Sequence, residues 1–449
     1  MKQYYTHYRA LASLGVPIIV GQLGTIILGF ADTLMIGRHS MPELAAAAFV
    51  NNMFVLVLLF SMGFSYGLTP IVGSLYGQGE KGKIGIMLKN SLAVNLFLSV
   101  VLMGVMALLY LNIGHLGQPE ELLPLMKPYF IVNLVSIPFV ACFNTFKQLA
   151  DGTTDTKTSM WILLGGNLLN IIGNYLLIYG KCGLPEMGLL GAGLSTMLSR
   201  ILMAVAFVVI VFRSKRYRIY YQGFVTGKIN RRDMRHLCGL GVPLGLQMGM
   251  EAAAFSLSSV IVGWIGTAAL AAHQVMLTVS QFFYMVYYGM AAAVAIRVSY
   301  FAGQRDYEAL NRSTVAGFHL ILLIAFAVSV PVMLLRGDIG SWFTDSSEVC
   351  LMVSQVIIPL VVYQFGDGLQ CTYANALRGI SHVKPLMYVA FVAYFVISLP
   401  LGYLFGITFR WGLLGIWSAF PFGLTIAGVL YYYYYRRYLC RIVRSSGAA

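Results

Sequence analysis

Charge is scarce in this chain. Only 10% of its 449 residues are Asp, Glu, Lys or Arg, while 59% are hydrophobic. A water-soluble domain carries roughly a quarter charged residues, so this composition excludes one and points to a protein built for lipid. Acidic residues are scarcer still, 16 against 30 basic, for a net charge of +14. That excess would suit a nucleic-acid partner if it formed a patch. Instead the basic residues lie in short loops between apolar runs, the pattern of membrane topogenesis, and nucleic acid is excluded. Cysteines are few and scattered (Cys142, Cys182, Cys238, Cys350, Cys371 and Cys440). With no CxxC or Cys/His spacing they argue for neither a metal site nor a disulfide framework, and most read as buried thiols. The seven histidines form no ligand cluster.

What is present is apolar sequence. A membrane-crossing helix needs about 20 predominantly apolar residues. Twelve such stretches occur: 11–37, 46–75, 91–113, 127–149, 160–180, 188–212, 237–263, 273–301, 315–336, 350–377, 386–408 and 412–435. The first follows a basic N-terminus like a signal peptide, but its apolar run is too long for one and reads as an uncleaved span. No stretch remains for a soluble domain. Lys and Arg set the expected orientation. Lys81, Lys83, Lys89, Lys147, Lys157, Arg305, Arg312 and Lys384 fall on one side, with the 6–7 linker and the tail. The other side holds only Arg38, Lys127, Lys181, Arg336 and Arg410, so both termini are expected in the cytoplasm.

The chain also repeats itself. Shifted by 226 residues, LGVP at Leu14–Pro17 falls on LGVP at Leu240–Pro243. In the same register Gly37 meets Gly263, Gly63 meets Gly289 and Gly77-Gln78 meets Gly303-Gln304. GLLG recurs at Gly188–Gly191 and Gly412–Gly415. Each repeat holds six spans, an even number, so both halves have one orientation. The expected fold is an all-α membrane protein. Its twelve transmembrane helices form two six-helix bundles related by a pseudo-twofold axis along the membrane normal. The bundles are residues 1–212 and 237–449, the latter ending in a short basic tail, joined by a basic cytoplasmic linker at 213–236.

An ionised side chain in hydrocarbon costs several kcal/mol, so each one inside a span asks for a reason. Asp32, Arg200, Glu251 and Asp367 lie deep, with His319 near the middle of its span. The carboxylates fall on polar stripes at helical spacing: Gln22, Thr25 and Asp32; Gln247, Glu251 and Ser258; Tyr363, Asp367 and Gln370. Glu251 and Asp367 belong to one half. Two carboxylates sharing low dielectric cannot both stay ionised and bare, so they hold a proton or bind a small cation such as Na+. The alternative is a protonated acid acting as interhelical glue. Gly366 and Gly368 beside Asp367 allow close backbone approach. Arg200 reads as a snorkelling or carbonyl-bonded structural residue. In the 226 register Asp32 meets Ser258 and Glu251 meets Thr25, so each half has its own polar site.

Other signals are weaker. GFSYG at Gly63–Gly67 fits the GxSxG serine-hydrolase pattern, but it lies in an apolar span without the strand–turn–helix elbow. Its glycines are spaced as GxxxG, a helix-packing motif. His273, beside Gln274, reads either as cavity lining or as an interfacial residue. The aromatics of Phe282–Tyr288 read as packing or lipid-facing belt, with cation–π lining as the alternative.

The chain resembles the MATE family, the multidrug and toxic compound extrusion transporters, in its NorM-like branch. The resemblance is carried by LGVPIIVGQLGTIILGFADTLMIGR, GNLLNIIGNYLLIYG, LGVPLGLQMGMEAAAFS, LAAHQV, GDGLQCTYANALRG and GLLGIW, and it spans nearly the whole length. It implies secondary active efflux of organic cations and amphipathic compounds by antiport against Na+ or H+, with no enzymatic step and no cofactor besides the coupling ion. It places cation coupling on Glu251, Asp367 and Tyr363, and a proton or substrate site on Asp32 with Asn174 as companion. Gln274, Gln247 and Asn170 are the candidate cavity lining; no metal is expected beyond Na+ at Glu251 and Asp367. It implies the lipid bilayer of a bacterial inner membrane, and one duplicated chain suffices for the mechanism, so a monomer is expected. Two other readings have sequence tests. A flippase for a lipid-linked saccharide needs a cavity rich in Arg and Lys, and an intramembrane enzyme needs a nucleophile–base pair or metal ligands at depth.

Overall fold

A computed structural model describes residues 2–446 except 116 and 118. The described chain is almost entirely helical. Its α-helices are α1 (Lys2–His39), α2 (Met41–Ser65), α3 (Leu68–Gly77), α4 (Lys81–Leu111), α5 (Leu123–Gly152), α6 (Thr156–Ile178), α7 (Gly188–Arg213) and α8 (Arg218–Thr226). They continue with α9 (Arg231–Gly263), α10 (Thr267–Gln304), α11 (Tyr307–Leu334), α12 (Ser347–Gly379), α13 (Lys384–Phe391), α14 (Leu399–Tyr403) and α15 (Gly412–Ser446). Among the described residues, twelve segments are long and apolar enough to cross a membrane, in the order read from sequence. The second combines α2 and α3, and the eleventh runs Lys384–Thr408 through α13 and α14. Helices outrun the apolar stretches at several ends: α1 begins at Lys2 although its apolar run begins at residue 11. Hydropathy marks the lipid-facing length, whereas the helix continues wherever the backbone finds its own bonds.

The chain gathers into two compact units. One takes the residues up to Ile19 with those from Leu246 onward, and the other takes Val20–Gly245. Both boundaries fall inside a helix, α1 and α9 respectively. Glycine crossings explain this. In the Val20–Gly245 unit, a Cβ on Gly63 of α2 would sit 2.8 Å from the Leu244 carbonyl oxygen and 2.9 Å from Gly245 Cα of α9. In the other unit, a Cβ on Gly289 of α10 would sit 2.9 Å from the Ile19 nitrogen of α1. Gly63 and Gly289, and Gly245 and Ile19, are partners in the 226 register, so the repeat recurs in the packing. GFSYG is therefore a helix-crossing motif. Its Ser65 hydroxyl donates to Asn95 Oδ1 at 2.7 Å within the bundle, away from any base.

The basic segment after α7 is docked. α8 lies on α4, where Gly223 meets the Gly82 backbone without room for a side chain. Asn90 Oδ1 accepts from the Asn230 N–H at 2.8 Å, and Lys89 donates to the Gly227 carbonyl at 2.8 Å. The buried Tyr217 hydroxyl donates to Asp155 Oδ2 at 2.7 Å. Asp155 also caps α6 at the Thr158 N–H. Burial, reinforced by Asp155, pushes the Tyr217 phenol far above its ordinary range, and burial pushes Tyr220 up to about 12. Both stay neutral, so Tyr217 remains a donor at any working pH. Tyr217→Phe removes a hydrogen bond to a buried carboxylate, worth about 1.5–3 kcal/mol. A thermal melt of the purified variant should show that loss as a lowered midpoint.

Candidate functional site

In the unit containing Leu246 onward, α12 carries Asp367 into the interior, where it is 2% exposed. A Cβ on Gly366 would lie 2.7 Å from Thr425 Oγ1 of α15, and one on Gly368 would lie 3.0 Å from Ile321 of α11. The flanking glycines thus let two helices close on the aspartate. Its Oδ1 accepts a long hydrogen bond from the Cys371 thiol at 3.5 Å, one turn on. Its Oδ2 is buried and has no donor. A buried acceptor without a partner costs about 1–3 kcal/mol, more if charged.

Glu251 of α9 lies within electrostatic reach of Asp367. Its Oε1 accepts from the Tyr394 hydroxyl at 2.9 Å, and Gln370 Nε2 donates to that hydroxyl at 2.9 Å. The chain Gln370–Tyr394–Glu251 links α12, the eleventh span and α9. Tyr363, one turn before Asp367, instead hydrogen-bonds Ser280 of α10 at 2.8 Å. Gln247 is half-buried on the Glu251 face and Gln274 is exposed. His273 is fully buried: Nδ1 accepts from Trp417 Nε1 at 3.0 Å, so Nε2 carries the proton and meets Ser259 at 3.0 Å. It is a structural histidine, and neither sequence reading holds.

Tyr394 is the residue that sequence reasoning missed. It sits in a π-helical stretch, Val392–Ser398. Pro400 two residues further on has no N–H to give the preceding turn. Ser398 Oγ takes the Ala393 carbonyl at 2.9 Å, five residues back, and Gly423 packs on that widened turn. Tyr394 lies within this π stretch, and such segments recur at functional sites. Tyr394→Phe removes one hydrogen bond to a carboxylate, about 1.5–3 kcal/mol. A thermal melt of the purified variant should show that loss as a lowered midpoint, as for Tyr217→Phe.

A second polar cluster belongs to the Val20–Gly245 unit. Asp32 accepts from Asn174 Nδ2 at 2.5 Å. With its amide turned so that the oxygen takes the Thr196 N–H at 3.1 Å, Asn170 also donates to Asp32 Oδ1 at 3.1 Å. Asp32 lines a cavity of about 390 Å³ with Gln22 and Thr25, the face that spacing assigned to it, and with Gly29 and Asn170. Arg200 of α7 lines the same cavity. Its Nη1 donates to Ser136 Oγ at 2.6 Å and Asn133 Oδ1 at 3.5 Å, so side chains of α5 hold it rather than backbone carbonyls. Lys147 also lines the cavity and is paired with Asp151 at 2.7 Å. The structure therefore joins Asp32, Asn174 and Asn170 in one unit, and Glu251 with Asp367 in the other.

Twelve spans, with a buried Asp367 in one unit and a partly buried Asp32 in the other, define a polytopic membrane protein. The sequence profile of the MatE family matches residues 17–176 and again 243–404, so its two copies start 226 positions apart. The chain is 30% identical over 433 residues to the probable multidrug resistance protein NorM of Photorhabdus laumondii, covering 95% of each. It is 28% identical over 439 residues to the multidrug resistance protein NorM of Photobacterium profundum, covering 96% of this chain and 95% of that one. An outward-facing structure of a multidrug resistance MATE family transporter of the MOP superfamily superimposes with a TM-score of 0.89 at 18% identity, over 98% of this chain and 97% of that one. The chain belongs to the MatE family, a family of membrane transporters.

Proposed function

We propose that this protein exports amphipathic organic compounds, cations among them, by antiport against Na+ or H+ through alternating access. The observation that carries the reading is the buried, donorless Oδ2 of Asp367 within reach of Glu251. Protonation or Na+ binding there supplies the missing partner, and the ion's departure takes it away again. Glu251, held by Tyr394, supplies the second carboxylate; Tyr363 borders the site through Asp367 and is held by Ser280. Asp32 with Asn174 forms the substrate or proton site of the other unit. The relatives' names, multidrug resistance proteins, agree with this cargo. The basic-residue bias supports cytoplasmic termini, the bacterial relatives agree with an inner-membrane location, and one duplicated chain would be enough to work as a monomer.

The energetics are adequate. One charge crossing roughly 150 mV is worth about 3.5 kcal/mol. That sustains about a 300-fold substrate gradient per coupled charge. The test is accumulation of a fluorescent organic cation in proteoliposomes under separately imposed Na+ and pH gradients. Accumulation under one gradient, lost on adding the matching ionophore, supports antiport and names the ion. Flux indifferent to both gradients defeats it.

A further inference from the structure

We propose that the cavity of the Val20–Gly245 unit is a receptor for zwitterionic amphiphiles, with Asp32 taking the ammonium group and Arg200 the carboxylate. The proposal rests on the transport reading for its cargo role and, within that cargo, singles out molecules carrying both charges on an aromatic or aliphatic body as those this cavity holds most tightly.

The cavity measures about 390 Å³, inside the range of roughly 300–1,000 Å³ usual for small-molecule sites. Much of its wall is apolar, including Leu28, Leu58, Met62, Phe143 and Met203. Against that wall stand two charges of opposite sign. Asp32 is held by the neutral amides of Asn174 and Asn170, which orient it without neutralising it. Arg200 is held through Nη1 by the neutral oxygens of Ser136 and Asn133. Asp32 and Arg200 feel each other's charge, yet they form no ion pair with one another among the described residues. Lys147 differs, since Asp151 answers its charge at 2.7 Å. The cavity therefore holds one carboxylate and one guanidinium, each positioned, each without a counter-charge in contact.

Charge in low dielectric must be compensated, and like charges there repel strongly. A simple organic cation would answer Asp32 but leave Arg200 facing a second positive charge. A simple anion would reverse the problem. A zwitterion answers both ends at once, and the guanidinium fork suits a planar carboxylate. A purely structural Arg200, bound to α5 and indifferent to ligand, is the competing account.

The experiment uses three rigid probes of one shape: 4′-(aminomethyl)biphenyl-4-carboxylic acid, its methyl ester, and biphenyl-4-carboxylic acid. Equilibrium binding to the full chain in lipid nanodiscs compares zwitterion, monocation and monoanion. The wild type is expected to bind the zwitterion at least about tenfold more tightly than either singly charged probe. Arg200→Gln is expected to bring the zwitterion and the ester within about twofold of each other, while Arg200→Lys keeps the zwitterion ahead. Wild-type protein that prefers the ester, or treats the two alike, overturns the proposal without any variant. So does an Arg200→Gln protein with an unchanged ratio, because that is the signature of a structural arginine. The same probes in gradient-loaded proteoliposomes separate the two readings. Selective binding without gradient-driven flux defeats antiport and leaves the zwitterion site standing; gradient-driven flux without selectivity does the opposite.

Discussion

Asp367→Asn should abolish gradient-driven accumulation while leaving a folded protein. Asparagine has nearly the same shape as aspartate, and its carbonyl can still accept from the Cys371 thiol, which lies 3.5 Å from Oδ1. The other terminal atom, buried and without a donor, becomes an amide nitrogen that neither binds a cation nor exchanges a proton. Removing an isolated buried charge carries little folding penalty, so the melting temperature should fall by no more than a few degrees. Transport should respond far more. With one coupled charge lost, the attainable substrate gradient drops by a factor of about 300 at roughly 150 mV. Steady-state accumulation in proteoliposomes of matched protein content reads that factor directly. A variant that accumulates substrate like the wild type would make Asp367 interhelical glue and move the search for coupling to Asp32.

Gly63→Leu should damage folding severely. The obstacle at Gly63 is backbone, the Leu244 carbonyl oxygen at 2.8 Å and Gly245 Cα at 2.9 Å from the first added carbon. A flexible side chain could turn away, whereas α9 would have to separate from α2 along the crossing. Overpacking usually costs about 1–3 kcal/mol, and a clash that only helix separation relieves belongs at or beyond the upper end. Size-exclusion chromatography of detergent extracts should show aggregate in place of a monodisperse peak. Gly289→Leu should behave the same way, because Ile19 stands to it as Gly245 stands to Gly63. A well-behaved Gly63→Leu protein would mean that the crossing is not tight in the membrane.

Much of this was legible in the sequence, for physical reasons that differ by element. The twelve spans were visible because lipid demands long apolar runs, and the duplication because its glycines recur at one shift. Gly63 and Gly289 survive that shift since each is the only residue that fits its crossing. The polar face of α1 was readable from helical spacing alone, and Gln22, Thr25 and Asp32 do line one cavity. Tyr394 was not readable. It bonds to Glu251 of another helix from within a π-helical stretch, and no local sequence pattern reports that pairing. Tyr363 carried the spacing expected of a neighbour to Asp367, yet its hydroxyl goes to Ser280 on a helix whose position no local pattern reports. Arg200 shows a third limit. A lone cation in an apolar helix gives the same signal whether it braces a neighbour or faces a cavity, and only the shape of the cavity tells that it does both. Likewise, His273 beside Gln274 looked like a boundary pair, but Trp417 from α15 buries it.

The central claim is that substrate and ion move in opposite directions through one chain. The most direct measurement imposes a substrate gradient alone on proteoliposomes, with Na+ and pH equal on both sides, and records ion movement with Na+- and pH-sensitive dyes. The expected result is uphill movement of one ion against the direction of substrate flow, absent in Asp367→Asn vesicles. Substrate running down its gradient in wild-type vesicles with neither ion moving would contradict antiport outright.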